Sequence, residues 1–154
     1  MTRKRYLAAA ALVAVAAGAA VALVLLLGNG KHHTTRKDYL ARVSAICRDY
    51  NGRLARIPAP IGLSDPRAIA RSISRALPLV QARAAAARAV QPPEELRRDV
   101  GRMFRLSDRA IGELRNARQA ALAGEVRESA LAVGRFLEVS DEAHAIAVRI
   151  GLDC

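Results

Sequence analysis

Two kinds of apolar pattern divide the chain. From Tyr6 to Leu27 the residues read YLAAAALVAVAAGAAVALVLLL, an uncharged and continuously apolar run. As a helix rising about 1.5 Å per residue, it would span roughly 33 Å, enough to cross the hydrocarbon core of a bilayer. From residue 36 onward, apolar positions recur instead at three-and-four spacing, the period of a helix that buries one face. Strict alternation of apolar and polar residues, the mark of a half-buried strand, is found nowhere.

The second pattern predicts four helices. Thr35, with Asp38 three residues on, forms a helix-start signal. Leu40, Val43, Ile46, Cys47, Tyr50, Leu54 and Ile57 then supply one apolar face, and Pro58 and Pro60 end it. Ser64, Asp65 and Pro66 open a second helix with Ile69, Ile73, Leu77, Val80, Ala84 and Val90 on its face. Pro78 lies inside it and predicts a kink, or a split into two shorter helices. Pro92, Pro93, Glu94 and Glu95 begin a third, carried by Leu96, Val100, Met103, Ile111, Leu114, Ala121 and Leu122. After Gly124 a fourth runs through Val126, Ala130, Val133, Leu137, Ala147 and Val148 to a cap near Gly151.

Short links between such helices make sequential neighbours antiparallel. The expected architecture is all-α, an N-terminal transmembrane helix followed by an antiparallel four-helix bundle. Residues 1–5 form a cytoplasmic N-terminus, 6–27 the anchor, 28–35 a juxtamembrane linker and 36–154 the extracytoplasmic bundle. A cleaved signal peptide would have a shorter apolar region followed by a small-residue cleavage site, whereas here the most hydrophobic stretch, Leu23 to Leu27, comes last. No cysteine follows the run, which disfavours a lipoprotein. Arg3, Lys4 and Arg5 favour an inside N-terminus, although Lys31, Arg36 and Lys37 weaken the asymmetry.

The two cysteines bear on the compartment. Cys47 and Cys154 are far apart and form neither a Cys-x-x-Cys motif nor a zinc-ligand cluster, so an extracytoplasmic disulfide is the natural reading. Closing a loop of about a hundred residues would stabilise the fold by roughly 4–5 kcal/mol. Two buried free thiols are the alternative. An ideal bundle would set the two residues on the order of 15–25 Å apart along its axis. A bond therefore needs a late start to the last helix, a fold-back of Leu152 to Cys154, or strong helix stagger.

The chain carries a formal charge of +11, with 25 Lys and Arg against 14 Asp and Glu. Arginine dominates, which reads as genomic composition and discounts any single guanidinium. Residues 36–57 hold six basic and two acidic side chains and residues 65–91 five and one, whereas residues 125–154 hold three and six. A basic field attracts anionic lipid or cell-envelope polymer. The stripe Arg67, Arg71 and Arg75 is the first candidate contact. Arg98, Arg102, Arg105 and Arg109 form a second, for which Asp99, Asp108 and Glu113 offer local pairing. Nucleic acid is disfavoured, since stacking aromatics and a recognition motif are lacking. Within the apolar run, Ala10, Ala14, Gly18 and Ala22 give the small-residue spacing that lets transmembrane helices dimerise, a spacing so alanine-rich a segment also produces by chance.

Chemistry is harder to find. No glycine-rich phosphate loop, His-Glu-x-x-His helix or nucleophile with its base is legible. Glu94 with Glu95, and Asp141 with Glu142, are sequence neighbours and point in different directions on a helix. His32 and His33 lack a third metal ligand, and His144 sits at the edge of an apolar face near Asp141. Neither catalytic residues, nor a metal, nor a cofactor is expected.

With Ala45-Ile46-Cys47 in the first soluble helix, Pro92 and Pro93, and the terminal Gly151-Leu152-Asp153-Cys154, the chain resembles small membrane-anchored helical envelope proteins of high-GC Gram-positive bacteria. The resemblance implies an anchor, helices and a disulfide, and carries over no functional residue. The expected function is a non-enzymatic, single-pass cell-membrane protein with a basic extracytoplasmic interaction or structural domain. The rival is a ligand-binding or sensor bundle that uses a cavity near Pro78 and acts through a partner.

Overall fold

The computed structural model describes residues 34–59 and 65–154. Four helices pack together, and no strand occurs among the described residues: α1 (Arg36–Leu54), α2 (Pro66–Arg88), α3 (Arg97–Leu122) and α4 (Val126–Ile150). A 3₁₀ turn, Glu94–Leu96, leads into α3. None of these helices is long and apolar enough to cross a membrane. The 6–27 run, its small-residue stripe and the His32–His33 pair lie outside the described residues.

Local chemistry sets each helix end. Thr35 caps α1: its hydroxyl accepts from the Asp38 backbone N–H at 3.1 Å and donates to the Asp38 carboxylate at 2.7 Å. The helix stops at Leu54, earlier than the apolar period predicts. Pro58 restricts the residue before it, and the last turn tightens into three-residue bonds, Arg56 N–H to Arg53 C=O and Ile57 N–H to Leu54 C=O. Asp65 caps α2 by accepting from the Arg67 N–H at 2.9 Å, with Pro66 in the first turn. The helix is not split at Pro78, whose exposed position lets water take over the lost backbone bond. Gly124 and Gly151 take left-handed backbones, with φ of 78° and 87°. They close Schellman caps through Glu125 N–H to Ala120 C=O and Leu152 N–H to Ala147 C=O.

Bonds between helices give their direction. Along α3 and α4, Asp99 pairs with Arg149, Glu113 with Arg135, and the Ala117 carbonyl with the Ser129 hydroxyl, so one number rises as the other falls. Between α2 and α3, Arg88 meets Asp108 while Ser74 meets Arg118. Between α1 and α2, Asn51 meets Arg83 and the Pro58 carbonyl meets Ser72. Sequential helices are therefore antiparallel. α1 packs along α2 and meets α4 chiefly where α4 ends, with the Arg36 guanidinium donating to the Ile150 carbonyl.

The core has two parts. Tyr39, Val43 and Cys47 of α1 join Val100, Met103 and Leu106 of α3 and Val139, Ile146 and Ile150 of α4. At the other end only three helices contribute: Ile69 and Ile73, Leu114 and Ala117, and Ala132. Two faces differ from the sequence reading. On α1 the buried centre is Tyr39, Val43 and Cys47, while Leu40, Ile46, Tyr50 and Leu54 flank it. On α4, Val126, Leu137 and Val148 lie outside, and Ser129, Ala132, Val139, Ile146, Ala147 and Ile150 face in. The small residues Ser129 and Ala132 let α4 approach Ala117 and Ala121 closely, and the fully buried Ser129 hydroxyl is satisfied by the Ala117 carbonyl at 3.1 Å. Leu122, expected inside, is 62% exposed.

Cys47 and Cys154 form a disulfide, with a Cα separation of 5.2 Å. Of the three ways to bring them together, the tail folds back. Gly151 reverses the chain, Leu152 inserts into the core, and the Asp153 N–H donates to the buried Ser44 hydroxyl at 3.1 Å.

Candidate functional site

A cleft of about 260 Å³ opens among the four helices. It exists because α1 crosses toward α2 instead of running along α4, and because the facing side chains on α2 and α4 are small: Ala84, Ala87, Ala143 and Ala147. Val43, Val80, Met103, Phe104, Ile111 and Phe136 complete a mostly apolar wall, and the disulfide lines one side. The polar lining is sparse: Arg83 from α2, Ser107 from α3, and Ser140, Asp141 and His144 from α4.

Each polar group has a distinct state. The Ser107 hydroxyl donates to the Met103 carbonyl of its own helix at 3.0 Å, so it is not paired with a base. Asp141 and His144 are exposed and stand at the mouth. Arg83 is drawn in: its Nη1 donates to the Asn51 Oδ1 at 2.8 Å, and burial pushes its guanidinium below the ordinary arginine value. None of the hydrogen bonds among the described residues joins a serine hydroxyl to a histidine. Groups of three metal-ligating side chains are likewise missing among the described residues.

Arg67, Arg71 and Arg75 share one surface at the start of α2. They line a shallow groove with Ala121 and Leu122, and Arg71 and Arg75 line another with Pro58 and Asp65. Arg71 stands 3.9 Å from Asp65, and Arg118 joins the group by donating to the Ser74 hydroxyl at 2.7 Å. The third helix departs from expectation. Asp99, Asp108 and Glu113 pair not with their neighbours on α3 but with Arg149, Arg88 and Arg135 on adjacent helices. Arg98, Arg102, Arg105 and Arg109 thus form an exposed stripe without an ion pair among the described residues, so local neutralisation does not rank it below the α2 stripe.

Sequence reasoning missed Arg83 because arginine is so common in this chain. Its one signal was position, a lone cation between Val80 and Ala84 at the edge of an apolar face. The chain matches no protein-family model, no curated protein and no solved structure. Fold and site together define a small disulfide-closed helical unit with an internal, mainly apolar cleft.

Proposed function

We propose that the chain is a single-pass membrane protein that displays the four-helix unit outside the cytoplasm, where the cleft binds a small, largely apolar ligand without catalysis. The 6–27 run supports the anchor by its length and lack of charge. The Cys47–Cys154 bond supports the outside placement, since structural disulfides persist in oxidising compartments. The ligand-binding reading is carried by one observation, the cleft itself: a concave apolar site with a few polar groups, of a volume just below the roughly 300–1,000 Å³ usual for ligand pockets.

Two measurements test it. Thiol labelling of the full chain in intact cells should modify the cysteines only after reduction, and labelling without reductant after unfolding would remove the disulfide argument. In nanodiscs of uncharged lipid, titration with 3-phenyl-1-propanol should shift amide resonances around Val80, Phe104, Phe136 and Ala143. Shifts scattered over the surface, or none, would reduce the cleft to a packing gap.

A second reading rests on the gathering of Arg67, Arg71, Arg75 and Arg118 on one face beside exposed Leu122. That face fits an anionic polymer or headgroup surface, and its binding would weaken steeply with salt.

A further inference from the structure

All fourteen Asp and Glu side chains lie among the described residues, since neither 1–33 nor 60–64 contains either residue. Among the described residues, seven arginines pair with them, at Arg48, Arg53, Arg71, Arg88, Arg97, Arg135 and Arg149. Arg83 does not, although it is the arginine whose pKa burial lowers. Partial desolvation of an unpaired guanidinium is unfavourable, and Asn51 occupies one of its five N–H donors. The stem alone would explain a side chain lying along apolar surface with its head in water. Here the residue lines the cleft beside Phe104 and Phe136.

Resting on the ligand-binding reading above, we propose that the cleft takes a monoanionic amphiphile, its carboxylate head on Arg83 and its apolar body against Val80, Phe104 and Phe136. The cleft holds roughly nine water-sized volumes of about 30 Å³, which suits a body on the order of ten heavy atoms. The other charged or titratable side chains lining it are Asp141 and His144 at the exposed mouth. Asp141 repels an anionic head there and turns it toward Arg83. With one guanidinium inside and a carboxylate at the entrance, a dianionic phosphate head is disfavoured against a single charge.

The test uses the full chain in uncharged-lipid nanodiscs at neutral pH, with calorimetric titration and empty discs as blank. The probes are 3-phenylpropionate, the alcohol 3-phenyl-1-propanol and phenyl phosphate. The acid should bind at least about tenfold more tightly than the alcohol, as expected of a hydrogen bond to a charged group. Arg83→Met should weaken the acid by about ten- to a hundredfold and the alcohol by much less, so that retained alcohol binding reports that the cleft is intact. Should that variant fail to fold, Arg83→Gln takes its place, and the acid–alcohol comparison in the unaltered protein stands by itself. Equal binding of acid and alcohol, or an acid affinity indifferent to Arg83, overturns the anionic anchor while the cleft reading survives. Tighter binding of phenyl phosphate overturns the carboxylate. If neither acid nor alcohol binds, the cleft reading fails as well.

Discussion

Tyr39 offers the sharpest test of the packing. Its ring is fully buried in the core of α1, α3 and α4, and its hydroxyl has no hydrogen-bond partner among the described residues. A buried polar group left unsatisfied costs about 1–3 kcal/mol. Tyr39→Phe removes the hydroxyl and keeps the ring, so the expected result at neutral pH is a gain of about 1 kcal/mol after the oxygen's lost contacts are set against it. The same burial pushes the Tyr39 pKa up to about 12, from an ordinary 10. Because the folded pKa is raised, the neutral phenol's contribution is complete below pH 10 and is lost as pH rises from 10 toward 12. The loss is roughly 3 kcal/mol at most. Urea denaturation followed by far-ultraviolet circular dichroism, at pH 7 and at intervals from 10 to 12, measures both effects. The difference between Tyr39→Phe and the unaltered protein should widen in favour of the variant above pH 10. A variant less stable at pH 7, with the same alkaline profile as the parent, would show that the hydroxyl is satisfied and the reasoning wrong.

Three further outcomes follow from the fold. Replacing Cys47 and Cys154 together by Ser should lower stability by about 4–5 kcal/mol, since the bond closes 107 residues of separation; an unchanged urea midpoint would refute the loop-closure account. Gly151→Ala should cost about 1–2 kcal/mol at φ of 87°, although Leu40 leaves room for the added methyl at 3.6 Å. Thermal unfolding of that variant would also expose any loosening of the tail that carries Cys154. On α4, Leu137→Gln should change stability by no more than about 0.5 kcal/mol because the side chain is 53% exposed, whereas a loss of several kcal/mol would return it to the core.

Local signals reached as far as local forces do. The Thr35 cap with Asp38 and the Asp65–Pro66 start each join a backbone group to a side chain a few residues away, and the turns at Gly124 and Gly151 join backbone groups equally close in sequence. All could be read directly from the sequence, as could the all-helical class and the four helices. The long period of α3 was legible too, because Val100, Met103, Ile111, Leu114 and Ala121 are apolar and all are buried. The faces of α1 and α4 were less so. Tyr39 replaced Leu40 at the centre, and α4 turned away from its larger side chains to bury Ser129 and Ala132, a choice made by how closely α3 could approach.

Tertiary structure alone decided the rest. Whether Cys154 reaches Cys47 depends on the reversal at Gly151 and on the burial of Leu152 in the core that the helices share. The pairing of Asp99, Asp108 and Glu113 across helices, instead of along α3, likewise depends on neighbours remote in sequence. The candidate site is the extreme case. Arg83 was one of many arginines until α1, by crossing toward α2, left a cleft lined by alanines from three helices and set Arg83 in its wall, hydrogen-bonded to Asn51 and without an ion pair among the described residues. Sequence by itself determined where helices begin, end and turn, because those forces act within a few residues. The cleft is space left between elements, and it is set by the angles and distances at which whole helices pack.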